Sequence, residues 1–439
     1  LSQRPGRQLG AEAAAGLHPR LSDALAGGLR FDRLWDLALY EPGVGFYDTG
    51  GAAGRRADFL TSVELGPLFG ACLARRLDAL WDAAGRPDRW TLVDAGSGPG
   101  TLVRAVVTAQ PRCAAALDVV VVERSDAQRE GHVNLIEWAE ERDVAVVSQE
   151  QLPERVCGVI VAHELLDNLA ARVVQRNGAQ IEELWAGVAP VGGEPPSPES
   201  NAAAVALSWR PVEAADAERL RSLPWWGAVA EQAPVPWSEA GHRWVNDALG
   251  RLATGALLVV DYGTRTTAEV AAREGWLRTY AQGAVGTDPV EDLGRRDVTS
   301  DVAFDQLPPP DRLSTQAEAL AAWGIDELVR SARRRLDERA GTMDLAWARD
   351  TSVLNEAPAL IDPAGLGSIS RRRVGCPWLA RCRAGGSGPS VGRGSFTEKS
   401  GPGGRCPVVG PGGCAACCLS LWACSQRCGG QRRQGPTPS

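Results

Sequence analysis

The sequence predicts an α/β fold: a Rossmann-like, doubly wound sheet with a helical N-terminal extension and insertions. Two observations carry this. Short, almost wholly apolar runs (TLVDAG at 91–96, LDVVVVE at 117–123, VAVVS at 144–148, VCGVIVA at 156–162, ALLVVDYG at 256–263) are separated by longer segments, several of them of helical spacing. Strands apolar on both sides belong to a parallel sheet covered on both faces. A glycine-rich turn, DAGSGPGT at 94–101, follows the first run and opens a helix, which is where doubly wound folds bind their ligands.

Taken in order, residues 1–89 read as a helical N-terminal segment. Leu21, Ala24 and Leu25, then Phe31, Leu34, Trp35 and Leu39, recur at helical spacing until Pro42 interrupts them. A glycine-rich loop, EPGVGFYDTGGAAGRRADF at 41–59, precedes a second helix that places Leu68, Cys72, Leu73, Leu77 and Leu80 on one face. A loop of that length inside a compact domain is more often functional than idle. Residues 90–265 form the predicted core, with an insertion over about 175–250 that contains the polar run VGGEPPSPESN. Residues 266–370 read as a substrate-side part, loop-rich to 308 and helical over 314–340. From Arg371 the chain is rich in Gly, Pro and Arg, with Glu398 its only acid and no apolar period. That composition predicts a disordered tail, even an out-of-frame one, with the natural ending lost near Ile369.

Bulk chemistry narrows the function. The 439 residues are 44% hydrophobic, enough for a large core. A net charge of -7 argues against nucleic acid and anionic membranes as partners, and no apolar stretch approaches the roughly 18 to 20 residues of a membrane span. No signal-peptide core opens the chain, which predicts a cytoplasmic protein, or a mitochondrial matrix one if the source is eukaryotic. Lys399 is the only lysine and Met343 the only methionine, a bias expected of a GC-rich bacterial genome. Cys72, Cys113 and Cys157 read as reduced core thiols. Cys414, Cys417, Cys424 and Cys428 have a spacing that could hold zinc, but they lie in the tail, and no metal is expected.

The glycine turn carries the first chemical signal. Asp94, Gly96, Gly98 and Gly100 form an acid-x-Gly-x-Gly-x-Gly pattern. A dinucleotide fingerprint would place its third glycine at Thr101, and a phosphate loop would end in Gly-Lys-Ser/Thr. A carboxylate beside the turn repels a phosphate but favours the cationic ammonium and sulfonium of S-adenosylmethionine. Glu123, at the end of the second strand, stands where an acid can accept hydrogen bonds from ribose hydroxyls. The bland alternatives are a simple strand-to-helix turn and a solvated glutamate. In VAHELLDN, Glu164 and Asp167 are three residues apart, so a helical turn would set both carboxylates on one side. There they could grip a guanidinium or take up its proton, or merely favour a helix dipole. Asp261 and Tyr262 end a later strand at the same edge. His163, a lone histidine, is assigned no catalytic role.

These pieces in this order resemble the MidA-like family of class I S-adenosylmethionine-dependent methyltransferases, whose members include a mitochondrial complex I assembly methyltransferase acting on a protein arginine. The likeness runs from about 28 to 368. LALYEPGVGFYDTG is similar to the family's Leu-Tyr-x-Pro-x-x-Gly-Tyr-Tyr, and DFLTSVELGPLFG to its Gly-Asp-Phe-x-Thr-Ser-x-Glu. DAGSGPGTL parallels Glu-Leu-Gly-x-Gly-x-Gly-Thr-Leu, AHELLDNL parallels Ala-Asn-Glu-x-x-Asp-Ala-Leu, and VVDYG the family's Asp-Tyr-Gly strand end. DVTSDVAF resembles Asp-x-Thr-Ala-His-Val-Asp-Phe. His163 replaces an Asn of that pattern, Ala170 a following Pro, and Asp301 and Ala303 a His and an Asp. No histidine follows RTYAQG, as it usually does in the family.

The resemblance implies S-adenosylmethionine over Gly96–Gly100, its ribose on Glu123 and its methionyl amine near Asp94. It implies a protein acceptor whose arginine guanidinium is oriented by the catalytic Glu164 and Asp167, with Asp58, Thr61, Glu64, Asp261 and Tyr262 on the substrate side. Two alternatives stay open: a scaffold that binds the cofactor without catalysis, and an NAD-dependent oxidoreductase.

Overall fold

A computed structural model describes residues 17–51, 62–189, 204–281, 283–339, 343–362 and 377–383. Its centre is a seven-stranded sheet built from β1 (Trp90–Ala95), β2 (Leu117–Val122), β3 (Ala145–Gln149), β4 (Val156–His163), β5 (Leu252–Val260), β6 (Arg312–Thr315) and β7 (Pro377–Arg383). They lie in the order β3-β2-β1-β4-β5-β7-β6. All are parallel except β7, which runs antiparallel between β5 and β6.

Why these runs form this sheet follows from the pleat. Alternate residues point to opposite faces, and here both faces are apolar. Leu92, Val119, Val121, Val159, Val161 and Leu258 pack against helices Leu68–Ala83 and Thr101–Thr108 on one side. Val93, Ile160, Ala162, Leu257 and Val259 pack against Val245, Ala248 and Leu249 of helix Glu239–Arg251 on the other. That helix sits in the stretch read as insertion, yet it covers the core.

The strand order reverses beside β1: β2 and β3 extend one way, β4 and β5 the other. Diverging connections leave a crevice at the carboxyl ends of β1 and β4, so Asp94 and Glu164 are brought to one place by topology alone.

Two features differ from the sequence expectations. A strand over 377–383 falls inside the segment read as a disordered tail, where it fills the gap between β5 and β6. Its backbone pairs with residues 255–260 on one side and 312–315 on the other. Composition scores side chains, whereas strand pairing is satisfied through backbone groups, so the composition could not reveal it. The zinc-spaced cysteines lie outside the described residues. Cys157 is exposed, unlike buried Cys72 and Cys113, because it lies near the start of β4, where the pairing with β5 is irregular.

Beyond the core, strands Arg172–Asn177, Gln180–Ala189, Ala204–Pro211 and Val235–Trp237 build an antiparallel sheet with Leu29–Arg30. Its residues Val173 and Leu184, with Ala171 just before the first of these strands, pack on Phe31, Trp35 and Leu39 of helix Phe31–Tyr40. Strands Leu277–Ala281, Ala284–Gly286 and Asp297–Ser300 form a small sheet within the stretch read as loop-rich. Trp35 joins the two regions by donating from Nε1 to the Val298 carbonyl at 2.9 Å. Among the described residues, no helix is long and apolar enough to cross a membrane.

Candidate active site

A cavity of about 470 Å³ opens at the carboxyl ends of β1 and β4, within the size range of small-molecule sites. Asp94, Gly96, Gly98, Glu123, Glu64 and Glu164 line it, together with Tyr40, Tyr47, Asn168 and Trp244. A second, water-sized cavity is walled by Glu164, Asp167, Asn168, Tyr262, Arg278, Tyr280 and Thr299. Glu164 and Asn168 belong to both walls, so the two cavities adjoin at these residues.

The glycine turn is held by its own protein. Gly96, Gly98 and Gly100 carry φ of +71°, +49° and +77°, the left-handed region that favours glycine. Gly96 donates to the Val122 carbonyl at 2.8 Å, and Gly100 to the Ser97 carbonyl at 2.9 Å. Gly98 donates to Glu123 Oε2 at 3.1 Å. These donors are spent inside the turn, which leaves a phosphate less to bind. A Cβ on Gly98 would meet nothing within 4 Å, so a ligand can approach the backbone there.

Asp94 closes the end of β1. Its Oδ2 is buried with no hydrogen-bond partner among the described residues. Burial, reinforced by the Glu123 carboxylate, raises its pKa to about 7. An orphaned buried carboxylate beside a cavity is incomplete without a cation or donor, and the ammonium of S-adenosylmethionine fits that demand. Glu123 spans the turn, accepting from Gly98 on one oxygen and from Ser125 at 3.0 Å on the other.

At the end of β4 the chain is bent hard. Glu164 has φ +51°, unusual for a residue with a side chain and of order 1–3 kcal/mol in cost. The bend is pinned by the Glu164 N–H donating to the Val260 carbonyl at 2.7 Å. Its carboxylate is 6% exposed and lies 3.8 Å from His163 Nε2. Burial lowers the His163 pKa to about 4, so that contact is no ion pair at neutral pH.

Asp261 differs from its expected role at the substrate side. It lines neither cavity. Its Oδ2 accepts from Leu166 N–H at 2.7 Å and its Oδ1 from Tyr262 N–H at 2.9 Å, so it holds the turn bearing Asp167. Burial and the neighbouring Asp167 charge push its pKa well up. Tyr262 walls the small cavity. Asp58 and Thr61 lie outside the described residues.

Several site residues fall in the quoted motifs without having been singled out as site residues. Asp297, from the small three-stranded sheet, accepts at Oδ1 from Asn168 Nδ2 at 2.8 Å and from the Tyr47 hydroxyl at 3.1 Å. Burial, with Asp167 nearby, raises its pKa to about 8. Asp301, which replaces the family's histidine, pairs with Arg278 at 2.7 Å and Arg273 at 3.4 Å. The Arg278 guanidinium beside the small cavity is thereby neutralised. Tyr47 sits in GFY of the glycine-rich loop, where an aromatic next to glycine was the available hint; Asn168 and Asp297 are 129 residues apart, and nothing local joins them.

Residues 72–321 match a family model described as "Putative S-adenosyl-L-methionine-dependent methyltransferase". The chain belongs to this family. The methyltransferase uses S-adenosylmethionine, and the nicotinamide alternative falls with that assignment. It is similar to a Burkholderia thailandensis protein crystallised with S-adenosyl-homocysteine, at 25% identity and a TM-score of 0.65, over 84% of this chain and 94% of that one. A native crystal structure of a Burkholderia thailandensis superfamily protein matches with 24% identity and a TM-score of 0.64, over the same shares. A 69-residue stretch is 38% identical to the Drosophila melanogaster protein arginine methyltransferase NDUFAF7 homolog, mitochondrial; the match spans 16% of each chain.

Proposed function

We propose that this methyltransferase methylates an arginine guanidinium of a protein acceptor, with Glu164 and Asp167 as the groups that hold it. The observation that carries the reading is the acidic edge of the large cavity, where Glu164 lines both that cavity and the small one behind it. Asp167 stands with Glu164 in the wall of the small cavity, Asp297 holds Asn168, and among the described residues of that wall the Arg278 guanidinium is paired with Asp301. Buried carboxylates crowded together hold back each other's ionisation unless a cation joins them. A guanidinium is planar, permanently charged and suited to bidentate carboxylate contacts. The short match to a Drosophila melanogaster protein, a protein arginine methyltransferase by name, supports the same acceptor.

S-adenosylmethionine, when bound, would supply a methyl group from its cationic sulfur, the S–C bond breaking so that the neutral thioether S-adenosyl-homocysteine leaves. The protein's own part is alignment and exclusion of water. In this reading Asp94 holds the methionyl ammonium and Glu123 the ribose, while Glu164 and Asp167 orient the guanidinium so that one nitrogen faces the methyl. Glu164 then takes the proton which that nitrogen loses as the N–C bond forms. Glu64 would close the site from the loop side, and Asp261 acts through the turn it holds.

The test is to supply labelled S-adenosylmethionine and the purified chain to cell extract, then hydrolyse the labelled protein to its amino acids. Label in methylarginine is expected. Label confined to lysine, carboxylate or hydroxyl side chains overturns the reading, and binding without transfer to any protein favours a non-catalytic scaffold.

A further inference from the structure

Behind the glycine turn lies a side chain that cofactor contact does not explain. His132, fully buried, precedes helix Val133–Glu140. Its Nε2 is 2.7 Å from the Gly98 carbonyl and its Nδ1 is 2.7 Å from Ser148 Oγ. A carbonyl can only accept, so Nε2 donates to Gly98, and Nδ1 shares a hydrogen bond with the Ser148 hydroxyl, which can serve in either direction. Ser97 Oγ, 3.4 Å from Nε2, is a weaker second acceptor.

One partner, Gly98, lines the cofactor cavity; the other, Ser148, lies two residues before Glu150, which also lines it. Pro99 of the turn after β1 lines it with Gly98, and Gln151 and Leu152, past the end of β3, line it with Glu150. His132 itself lines neither cavity. Its ring is therefore a strut between the glycine turn and the end of β3.

Gly98 needs such a strut more than most residues do. Glycine adopts either sign of φ readily, and Pro99 has no N–H with which to anchor the shared peptide. Glu123 ties the Gly98 N–H, and His132 ties its carbonyl. With both ends held, the Gly98–Pro99 peptide keeps one orientation before any ligand arrives, and that saves ordering cost on binding.

We propose that His132 is a positioning residue for S-adenosylmethionine: it fixes the Gly98–Pro99 peptide and the end of β3 relative to each other and acts on the cofactor only through them.

Calorimetric titration of the full chain with S-adenosyl-homocysteine, alongside thermal midpoints of the ligand-free protein, tests this. His132→Leu keeps volume but neither hydrogen bond; His132→Gln keeps a donor and an acceptor on a flexible chain. Leucine is expected to weaken binding about tenfold or more, glutamine to recover most of that loss, and Ser148→Ala to weaken it about threefold. Wild-type affinity in a folded His132→Leu protein overturns the proposal. So does equal weakening by Leu and Gln at matching thermal midpoints, which would mean that ring packing alone matters. If His132→Leu does not fold, wild-type affinity in Ser148→Ala overturns the proposal, and a loss there that exceeds any change in thermal midpoint supports it.

Discussion

Asn168 Nδ2 stands 2.8 Å from Asp297 Oδ1 and 3.1 Å from the Val298 carbonyl, so both amide hydrogens are spent and the carboxamide cannot flip without setting its oxygen against two acceptors. The Tyr47 hydroxyl bridges the pair, 3.0 Å from Asn168 Oδ1 and 3.1 Å from Asp297 Oδ1. Tyr47→Phe removes that bridge and frees one end of the glycine-rich loop. Methyl transfer is expected to drop about tenfold, from a hydrogen bond of roughly 1–2 kcal/mol lost at the acceptor side, while S-adenosyl-homocysteine affinity changes less than about twofold. Steady-state rates and calorimetry on the same variant check this.

Asp94 gives cofactor binding a pH dependence of known sign. With a pKa of about 7 in the ligand-free fold, it is protonated below neutrality and cannot then attract an ammonium. Affinity for S-adenosyl-homocysteine should fall as pH drops below about 7, by up to about tenfold per unit. Asp94→Asn should bind weakly at every pH, with the slope gone.

The same burial shapes stability. Asp94 and Asp297, with pKa values of about 7 and about 8 in the fold, titrate near 4 when unfolded. Between those values the folded chain binds more protons than the unfolded chain, so stability falls as pH rises through that window, at up to roughly 1.4 kcal/mol per unit for each group. Thermal melts of ligand-free protein from pH 5 to 8 should show a falling midpoint. Asp297→Asn should flatten its upper half.

Glu164 sets activity against stability. Its φ of +51° favours glycine, so Glu164→Gly should raise stability by about 1 kcal/mol in denaturant titration while abolishing transfer. Glu164→Gln keeps the shape but loses the charge. About a hundredfold loss in rate is expected, with cofactor affinity nearly intact.

What was legible in the sequence follows physical lines. β1, β2, β4 and β5 read as strands because burial on both faces demands unbroken apolar runs, and the early third glycine spoke against a dinucleotide because turn geometry is local. The sheet over 172–237 was hidden since strands such as Arg172–Asn177 mix buried valines with polar residues, a pattern that an insertion also shows. His132, Asn168, Asp297 and Asp301 owe their roles to partners far along the chain, and only tertiary contact reveals them. Asp261 was read as a substrate-side residue, and in the structure its carboxylate holds a turn; spacing cannot tell a carboxylate that faces a ligand from one that holds a turn.

The measurement closest to the central claim is side-by-side transfer of labelled methyl groups to extract protein by the wild-type chain and by Glu164→Gln, with amino-acid analysis of the product. Methylarginine formed by the wild type and nearly lost in the variant is the predicted result. Methylarginine formed equally by both, or label on another side chain, would contradict the guanidinium site.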